Sequence, residues 1–326
     1  MKQRELGRSG LMVSVAGLGC NNFGARISDD AARLVIDKAF DVGITFFDTA
    51  DVYGNRGGSE TTLGKLLGDR RKRVVLATKF GRPMDAEAKG GGTSRRYVSE
   101  AVEASLKRLR TEWIDLLQIH WPCPETPIEE TLRGLDDVVR AGKVRQVACS
   151  NFAAWQLVEA QRIARRHGLP QFVSTQEEYS LIDRRAEKEL VPAMLAYHVS
   201  LLPYLPLAGG FLSGKYPRGA AATAGMRLDV MPNLGQRYLT AANWDTLERV
   251  EAFAKERRRG MVEIACGWLA ARPTVASVMA GATRPEQVAQ NAAASNCELS
   301  AEELAALDAL CAQALGGTDK LEFSQK

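Results

Sequence analysis

The fold of this chain can be worked out from residues 46–54, which read FFDTADVYG. Residues 43–47, GITFF, predict a buried strand that follows a helix ending at Gly43. Asp48 stands where that strand ends, and Tyr53 follows on a loop that contains glycine. Both side chains are therefore expected to face one cavity above the end of the strand.

Two later strand-like runs also end in a polar side chain. Residues 74–78, VVLAT, are followed by Lys79, and residues 114–119, IDLLQI, are followed by His120. Taken singly, an acid, a lysine or a histidine at such a place is an ordinary turn, surface or structural residue. Polar residues at the ends of three consecutive strands indicate a shared site, because a parallel β/α barrel carries its chemistry at that end.

Strand and helix patterns alternate along the whole chain. Strand patterns fall near 14–19, 44–48, 74–79, 114–119, 144–149, 172–176, 199–203 and 275–280. Helical patterns fall near 29–42, 59–68, 95–109, 128–141, 153–167 and 184–197, with another from Pro285. This alternation predicts a parallel sheet, and eight strands favour closure into a single (β/α)8 TIM barrel. No linker interrupts the pattern, so residues 1–326 are predicted to form one domain.

Three parts extend beyond a minimal barrel. Residues 2–13 hold two short strand-like pieces around a Gly-Arg-Ser-Gly turn, which predicts a hairpin. Residues 209–243 are rich in glycine and polar side chains and too long for an ordinary connection, which predicts a functional loop. A capping box that begins at Ser300 starts a leucine-rich helix, expected on the outside of the barrel.

Composition disfavours several classes of protein. The net charge of +4 is small and evenly spread, so we expect no nucleic-acid partner. The six cysteines are scattered without a CxxC pair or a nearby histidine, which predicts reduced thiols and no metal site. We find no signal peptide and no run of about 20 apolar residues, which predicts a cytoplasmic protein with no membrane partner.

Two glycine-rich stretches bear on nucleotide binding. Residues 209–215, GGFLSGK, match the spelling of a phosphate-binding loop, but Tyr216 stands where a nucleotide hydrolase needs Ser or Thr for magnesium. Glycine amides and one lysine still suit a pyrophosphate. Residues 17–24, GLGCNNFG, lack the spacing of a dinucleotide fingerprint, and the chain has no GxSxG stretch. These observations disfavour a nucleotide hydrolase and a serine hydrolase.

The strand-end side chains suit the protonation of a carbonyl oxygen. A phenol is a poor proton donor at neutral pH, and a nearby ammonium makes it a better one by stabilising the phenolate. Lys79 can do this for Tyr53, while Asp48 holds the ammonium in place. His120 can orient the carbonyl oxygen beside the phenol. Because none of these groups is a reductant, a cofactor must supply a hydride.

The sequence closely resembles the aldo-keto reductases over nearly its whole length. Matching stretches are GLG at 17–19, FFDTADVYG at 46–54, ATKFG at 77–81, DLLQIHWP at 115–122, GKVRQVACSNF at 142–152, STQEEYS at 174–180, YLPLAGGFLSGKY at 204–216 and AGATRPEQVAQN at 280–291. The resemblance implies a catalytic tetrad of Asp48, Tyr53, Lys79 and His120. In that tetrad Tyr53 would be the general acid.

The resemblance also implies a bound NADPH or NADP, with a small-molecule carbonyl as substrate. The nicotinamide would meet Ser150, Asn151, Gln176 and Tyr204, and the long loop would fold over the cofactor. The pyrophosphate would be lined by Pro206, Leu207, Ala208, Gly210, Leu212, Gly214, Lys215 and Arg227. The adenosine end would be held by Gly281, Thr283, Arg284, Gln287 and Asn291. A guanidinium at Arg284 can grip the 2'-phosphate that only NADP carries.

The chain departs from the family after GLG. Cys20 and Asn21 stand where most relatives have Thr and an aromatic residue, and we count both among the cofactor-binding candidates. They would make one wall of the substrate pocket smaller and more polar, and Trp121 or Tyr179 could supply apolar surface instead. Two functions stay open at this point: an NADPH-dependent reductase of aldehydes or ketones, and an NADPH-binding regulatory subunit like the potassium-channel β subunits. His120, which some of those subunits lack, favours the reductase.

Overall fold

The computed structural model describes residues 1–84, 91–216, 218 and 227–312. Its strands are β1 (Gln3–Glu5), β2 (Met12–Ser14), β3 (Ala16–Gly19), β4 (Phe46–Asp48), β5 (Val75–Phe80), β6 (Ile114–Ile119), β7 (Val144–Ser150), β8 (Ser174–Glu178), β9 (Ser200–Tyr204) and β10 (Val278–Gly281). Its helices are α1 (Asp29–Asp41), α2 (Tyr53–Leu67), α3 (Arg95–Leu109), α4 (Ile128–Arg140), α5 (Ala154–His167), α6 (Leu190–Tyr197), α7 (Arg227–Val230), α8 (Pro232–Tyr238), α9 (Ala241–Glu256), α10 (Met261–Ala270), α11 (Pro285–Ser295) and α12 (Ala301–Cys311).

Eight parallel strands form a nearly closed barrel, which confirms the predicted (β/α)8 architecture. They run side by side in the order β10-β3-β4-β5-β6-β7-β8-β9, with helices between them in the chain. The ends of this sheet meet just before β10, where the Leu201 amide donates to the Thr274 carbonyl at 2.6 Å and the Ala276 amide donates to the Leu201 carbonyl at 3.1 Å. The sequence pattern at 275–280 therefore predicted the start of this strand too early. Strand β10 begins at Val278, and Val275 makes only an isolated bridge to Leu201.

The interior of the barrel is apolar at one level and polar at the next. Alternate residues of a strand share a face, and one buried cluster gathers the inward residues Phe46, Ala77, Leu116, Ala148, Leu202 and Met279. The predicted hairpin is present as β1 paired with β2, and its Leu6 and Val13 pack against the same cluster. Two positions further along the strands, the inward residues are Asp48, Lys79, Gln118, Ser150, Tyr204 and Gly281. The apolar cluster thus closes one end of the barrel and leaves a polar level at the other.

The C-terminal helix begins as predicted and is tied to the barrel by a charged contact. At the start of α12, the Glu303 amide donates to the Ser300 hydroxyl at 3.2 Å, and the Ser300 amide donates to the Glu303 carboxylate at 2.8 Å. Further along, Asp308 accepts from the Trp268 indole at 3.0 Å and from Arg272 at 2.9 Å.

The long segment at 209–243 contains helices where the sequence indicated a loop. A 3-10 segment, Ala208–Ser213, overlaps its start, and α7, α8 and the first residues of α9 lie within its described part. The Pro232 ring fixes a backbone angle that suits the first turn of α8, a start signal that sequence reasoning overlooked. Residues 217 and 219–226 lie outside the described part of the chain. Within that part, no helix has the length and apolar character needed to cross a bilayer.

Candidate active site

The fold brings the four strand-end residues to one end of the barrel. Asp48 is the last residue of β4, Lys79 lies near the end of β5, and His120 directly follows β6. Tyr53 is the first residue of α2, but the four residues after it, Gly54 to Gly57, have positive φ angles, so regular helix starts only beyond them. The phenol therefore sits on a glycine-containing loop, as the sequence indicated.

That loop depends on Gly54. Its φ of 67° is one that side-chain-bearing residues rarely adopt, and a Cβ there would lie 2.4 Å from the Ser59 amide nitrogen and 2.5 Å from the Phe23 carbonyl oxygen. The loop that follows β3 lies close to the start of α2 at Gly54, and this contact fixes the position of Tyr53. A larger residue at position 54 would push this loop away from the barrel.

Lys79 and Asp48 form a buried ion pair beneath the phenol. The Lys79 ammonium lies 2.5 Å from Asp48 Oδ2 and donates to the Thr49 carbonyl at 2.8 Å, and the Lys79 side chain is completely buried. Burial alone lowers the pKa of Lys79, but the charges of Asp48 and Tyr53 outweigh it and raise that pKa overall. The ammonium is 4.9 Å from the centre of the Tyr53 ring. A permanent positive charge thus faces the phenol.

Two amide side chains hold the other oxygen of Asp48. Gln118 Nε2 donates to Asp48 Oδ1 at 2.7 Å, and Gln176 Nε2 donates to the same oxygen at 3.1 Å. With Lys79 on Oδ2, the carboxylate has donors on both oxygens, which is what a buried charge requires.

His120 completes the group as a neutral ring. Its imidazole meets the Tyr53 ring edge-on, with 5.6 Å between the ring centres and 84° between the planes. Burial, and then the charges of Lys79 and Arg82, lower the pKa of His120 to about 2. The backbone carbonyl of His120 accepts from the side-chain Nδ2 of Asn151 at 2.9 Å. A neutral imidazole has one N–H donor, so His120 can hydrogen-bond a carbonyl oxygen without adding charge.

The residues expected at the nicotinamide lie together at the ends of β7, β8 and β9. The Ser150 hydroxyl donates to the Gln176 carbonyl at 2.7 Å, and Asn151 adopts a left-handed backbone with φ of 61°. The Tyr204 hydroxyl donates to the Asn151 side-chain oxygen at 2.8 Å. Gln176 also contacts Asp48, so this group adjoins the tetrad directly.

The residues expected at the pyrophosphate form a backbone turn and include two cations. Ala208, Gly210 and Gly214 have φ angles of 48°, 99° and 72°. The Lys215 side chain is exposed, and the Nε of Arg227 is buried with no partner in the described part of the chain. Burial, and then the charge of Arg26, lower the pKa of Arg227. An unpaired buried guanidinium nitrogen beside a turn of this kind fits an anionic group. The other candidates in this stretch, Pro206, Leu207 and Leu212, lie along the same turn.

The residues expected at the adenosine end surround the start of α11. The amide and the hydroxyl of Thr283 both donate to Gln287 Oε1, at 2.8 Å and 3.1 Å. Arg284 is the exposed N-cap residue of this helix, and Asn291 is buried two turns further on. Gly281 ends β10. Arg284 is thus free to approach a ligand from solvent.

The two residues after GLG, Cys20 and Asn21, have different surroundings. A Cβ on Gly281 would lie 3.2 Å from the Asn21 side-chain oxygen, so Asn21 adjoins the candidate adenosine residues. Cys20 is completely buried and donates weakly to the Leu18 carbonyl at 3.5 Å. Burial raises the pKa of its thiol well above the usual value. Of the two aromatic candidates, Trp121 is half-exposed, while Tyr179 is buried against Trp268 and is not free to line a pocket.

Sequence reasoning missed two groups next to the tetrad. Gln118 lies inside the motif DLLQIHWP, and its spacing of two from His120 was the available signal, since it places both on the inner face of β6. Asp51 lies inside FFDTADVYG, is almost fully buried, and has no hydrogen-bond partner for either carboxyl oxygen in the described residues. The buried Glu60 beside it pairs with Arg108 at 2.6 Å. No signal in the sequence separated Asp51 from an ordinary turn residue.

Histidine, cysteine and acidic side chains do not gather into a metal-binding group anywhere in the ranges that the structure describes. The arrangement is instead an organic acid–base site, with one phenol, one ammonium and one neutral imidazole at the open end of a barrel.

Comparison with known proteins assigns this barrel to a family. The family model described as "Aldo/keto reductase family" matches residues 16–312. The chain is 35% identical to "Uncharacterized oxidoreductase YrpG" of Bacillus subtilis, with 94% of this chain and 95% of that protein covered. It is 33% identical to "L-glyceraldehyde 3-phosphate reductase" of Escherichia coli K12, covering 94% and 92%. It is also 35% identical to "Probable voltage-gated potassium channel subunit beta" of Oryza sativa subsp. japonica, covering 89% and 90%.

The chain belongs to the aldo/keto reductase family, as its motifs indicated. Family membership and the oxidoreductase names among these relatives support an oxidoreductase.

Proposed function

We propose that this protein reduces the carbonyl group of a small aldehyde or ketone to an alcohol with NADPH, and that Tyr53 is the general acid. The observation that carries the proposal is the stack of Asp48, Lys79 and Tyr53, in which a buried ammonium lies 4.9 Å from the centre of the phenol ring. A buried ammonium so close to a partly exposed phenol favours proton donation by that phenol.

Each residue then has a defined task. The nicotinamide of NADPH supplies the hydride. Tyr53 donates its proton to the carbonyl oxygen, and Lys79 stabilises the phenolate that remains. The neutral His120 ring donates a hydrogen bond that orients the same oxygen. Asp48 keeps Lys79 charged and fixed while it is buried.

The choice of NADPH over NADH rests on Arg284. This residue is exposed at the N-cap of α11, where the helix amides and dipole also favour an anion. A guanidinium can bind a phosphate with two parallel hydrogen bonds, which a ribose hydroxyl cannot match. Replacement of Arg284 by Ala should weaken NADPH binding and leave NADH binding nearly unchanged in a fluorescence titration.

The decisive experiment is turnover by a Tyr53→Phe variant. Absorbance of the reduced nicotinamide would be followed with 4-nitrobenzaldehyde and with a panel that includes a phosphorylated aldehyde, since one relative is named for such a substrate. We expect the variant to bind NADPH but to lose at least about a hundredfold in turnover, the usual contribution of a positioned acid. Tyr197→Phe is the matched control, because Tyr197 ends helix α6 and its ring packs against Arg165 of α5. Equal turnover by wild type and Tyr53→Phe would refute the mechanism.

A second function is favoured by the relatives named as potassium-channel β subunits. In that case the protein would bind NADPH as a regulatory subunit with little turnover. Tight NADPH binding by the wild type without oxidation across the carbonyl panel would support this second function over the first.

A further inference from the structure

Gln118 lies in the polar level of the barrel and has no task in the proposed mechanism. Gln118 is fully buried, and its Cα is paired in register with that of Lys79 on the neighbouring strand. Its side chain reaches across the barrel to Asp48 on β4, where Nε2 lies 2.7 Å from Oδ1. Gln118 is therefore in contact with the carboxylate and closed off from solvent.

The amide of Gln118 is held in one orientation by Asp48. Its Oε1 is buried and has no donor in the described part of the chain. Turning the amide over would place that oxygen against the carboxylate, where two acceptors repel each other. One buried acceptor thus stays unpaired while an N–H points at Asp48. This indicates that the hydrogen bond to the carboxylate stabilises the protein by more than the unpaired Oε1 destabilises it.

Gln118 and Gln176 donate to the same oxygen but differ in what else they reach. Gln176 lies beside Ser150 and Asn151, the candidate nicotinamide residues, through its backbone carbonyl. Among the described residues, the one side-chain hydrogen bond of Gln118 is to Asp48. Any effect of Gln118 on the reaction must therefore pass through Asp48.

We infer that Gln118 is a positioning residue that fixes the Asp48 carboxylate for the Lys79 and Tyr53 pair. The inference rests on the proposed reductase function. Without Gln118, Asp48 Oδ1 would keep only the longer bond from Gln176, the carboxylate could rotate, and the Lys79 ammonium would follow it away from the phenol.

The first test is a Gln118→Met variant, which keeps length and volume but removes the donor. We expect turnover to fall about tenfold to a hundredfold, as for loss of a hydrogen bond to a charged group. NADPH affinity, measured by fluorescence, should stay within about twofold, because the lost contact is not to the cofactor. Gln118→Glu should be worse than Gln118→Met, because it sets a second carboxyl against Asp48. Gln161→Met is the matched control, since the buried Gln161 bonds both backbone groups of Phe172 far from the site.

The second test needs no turnover. In urea unfolding of the ligand-free protein, Gln118→Met should raise the unfolding constant about tenfold or more in the wild-type background. In an Asp48→Asn background the hydrogen bond is no longer charge-assisted. The factor by which Gln118→Met raises the unfolding constant should therefore be at least about fivefold smaller there. Gln161→Met should raise the unfolding constant by the same factor in both backgrounds.

The outcomes separate the two proposals. Wild type without carbonyl reduction would refute the reductase function itself. A reducing wild type matched by Gln118→Met in turnover, or equal costs of Gln118→Met in both backgrounds, would overturn the role of Gln118 and leave the reductase function in place.

Discussion

Asp51 should make the stability of this protein fall as pH rises from about 4 to about 7. The side chain is 1% exposed, and burial, followed by the nearby Glu60 carboxylate, raises its pKa from 3.8 to about 7. Arg108 and Lys79 oppose this rise without cancelling it. Neither carboxyl oxygen has a hydrogen-bond partner in the ranges described, so nothing nearby favours the ionised form strongly. Replacement of Asp51 by Asn keeps the shape and removes the titration.

The sign and size of the effect follow from linkage. Below about pH 4 the side chain is protonated in both states, and Asp51 makes no difference. Between pH 4 and 7 the unfolded chain releases a proton that the folded protein retains, so unfolding becomes easier as pH rises. Above pH 7 the loss is complete, and the shift from 3.8 to about 7 sets it at up to about 4 kcal/mol. Asp51→Asn should therefore gain stability over wild type with rising pH.

Urea unfolding at pH 5, 6, 7 and 8, followed by tryptophan fluorescence, measures this directly. The difference in unfolding free energy between Asp51→Asn and wild type should grow in favour of the variant by about 2 kcal/mol or more from pH 5 to pH 8. Asp69→Asn, at an exposed position, is the control and should show no such trend. A difference that is constant with pH, or that shrinks, would refute the assignment of a buried neutral carboxyl at Asp51.

Three further changes test the packing around the site and the barrel. Lys79→Met should cost about 3–5 kcal/mol in urea unfolding, because it leaves the Asp48 charge buried without its cation, and turnover should be lost with it. Gly54→Ala should cost about 1–3 kcal/mol and lower turnover, because φ is 67° there and a Cβ meets backbone, whereas alanine at the solvent-facing Gly142 would cost only the backbone term. Asp308→Asn should cost about 1 kcal/mol in urea unfolding, a smaller loss than the other two, because the Asp308 side chain that accepts from the Trp268 indole is 34% exposed.

The barrel and the tetrad could be predicted from the sequence because each rests on local signals. Strand and helix periods differ, and eight repeats of that difference leave few architectures. Asp48, Lys79 and His120 each end or follow a strand, so the rule that parallel strands end together brings them to one place before any contact is known. Tyr53 required only the glycine after it.

The support of the tetrad could not be predicted in the same way. The spacing of two from His120 could indicate the inner face for Gln118, but the contact of its amide with Asp48 depends on the registers of β4, β5 and β6, which are long-range properties of the sheet. The state of Asp51 depends on how deeply the loop after β4 is covered by Glu60 and its neighbours on α2. Cys20 packs into the larger apolar cluster, which the residues before and after it did not indicate. Each of these outcomes is decided by packing between distant segments.

Burial lowers the pKa of both Lys79 and His120, yet Lys79 is charged and His120 is neutral. The difference is that Lys79 pairs with Asp48. Both are basic groups out of contact with water, and burial alone would leave both neutral. Asp48 lies 2.5 Å from the Lys79 ammonium and keeps it charged, whereas Lys79 itself helps to lower the pKa of His120 to about 2. In the proposed mechanism the buried positive charge beside the Tyr53 ring is therefore that of Lys79, and His120 acts as a neutral donor. In the proposed mechanism Asp48 acts on Tyr53 through Lys79, which is why the residues that hold Asp48 bear on that mechanism.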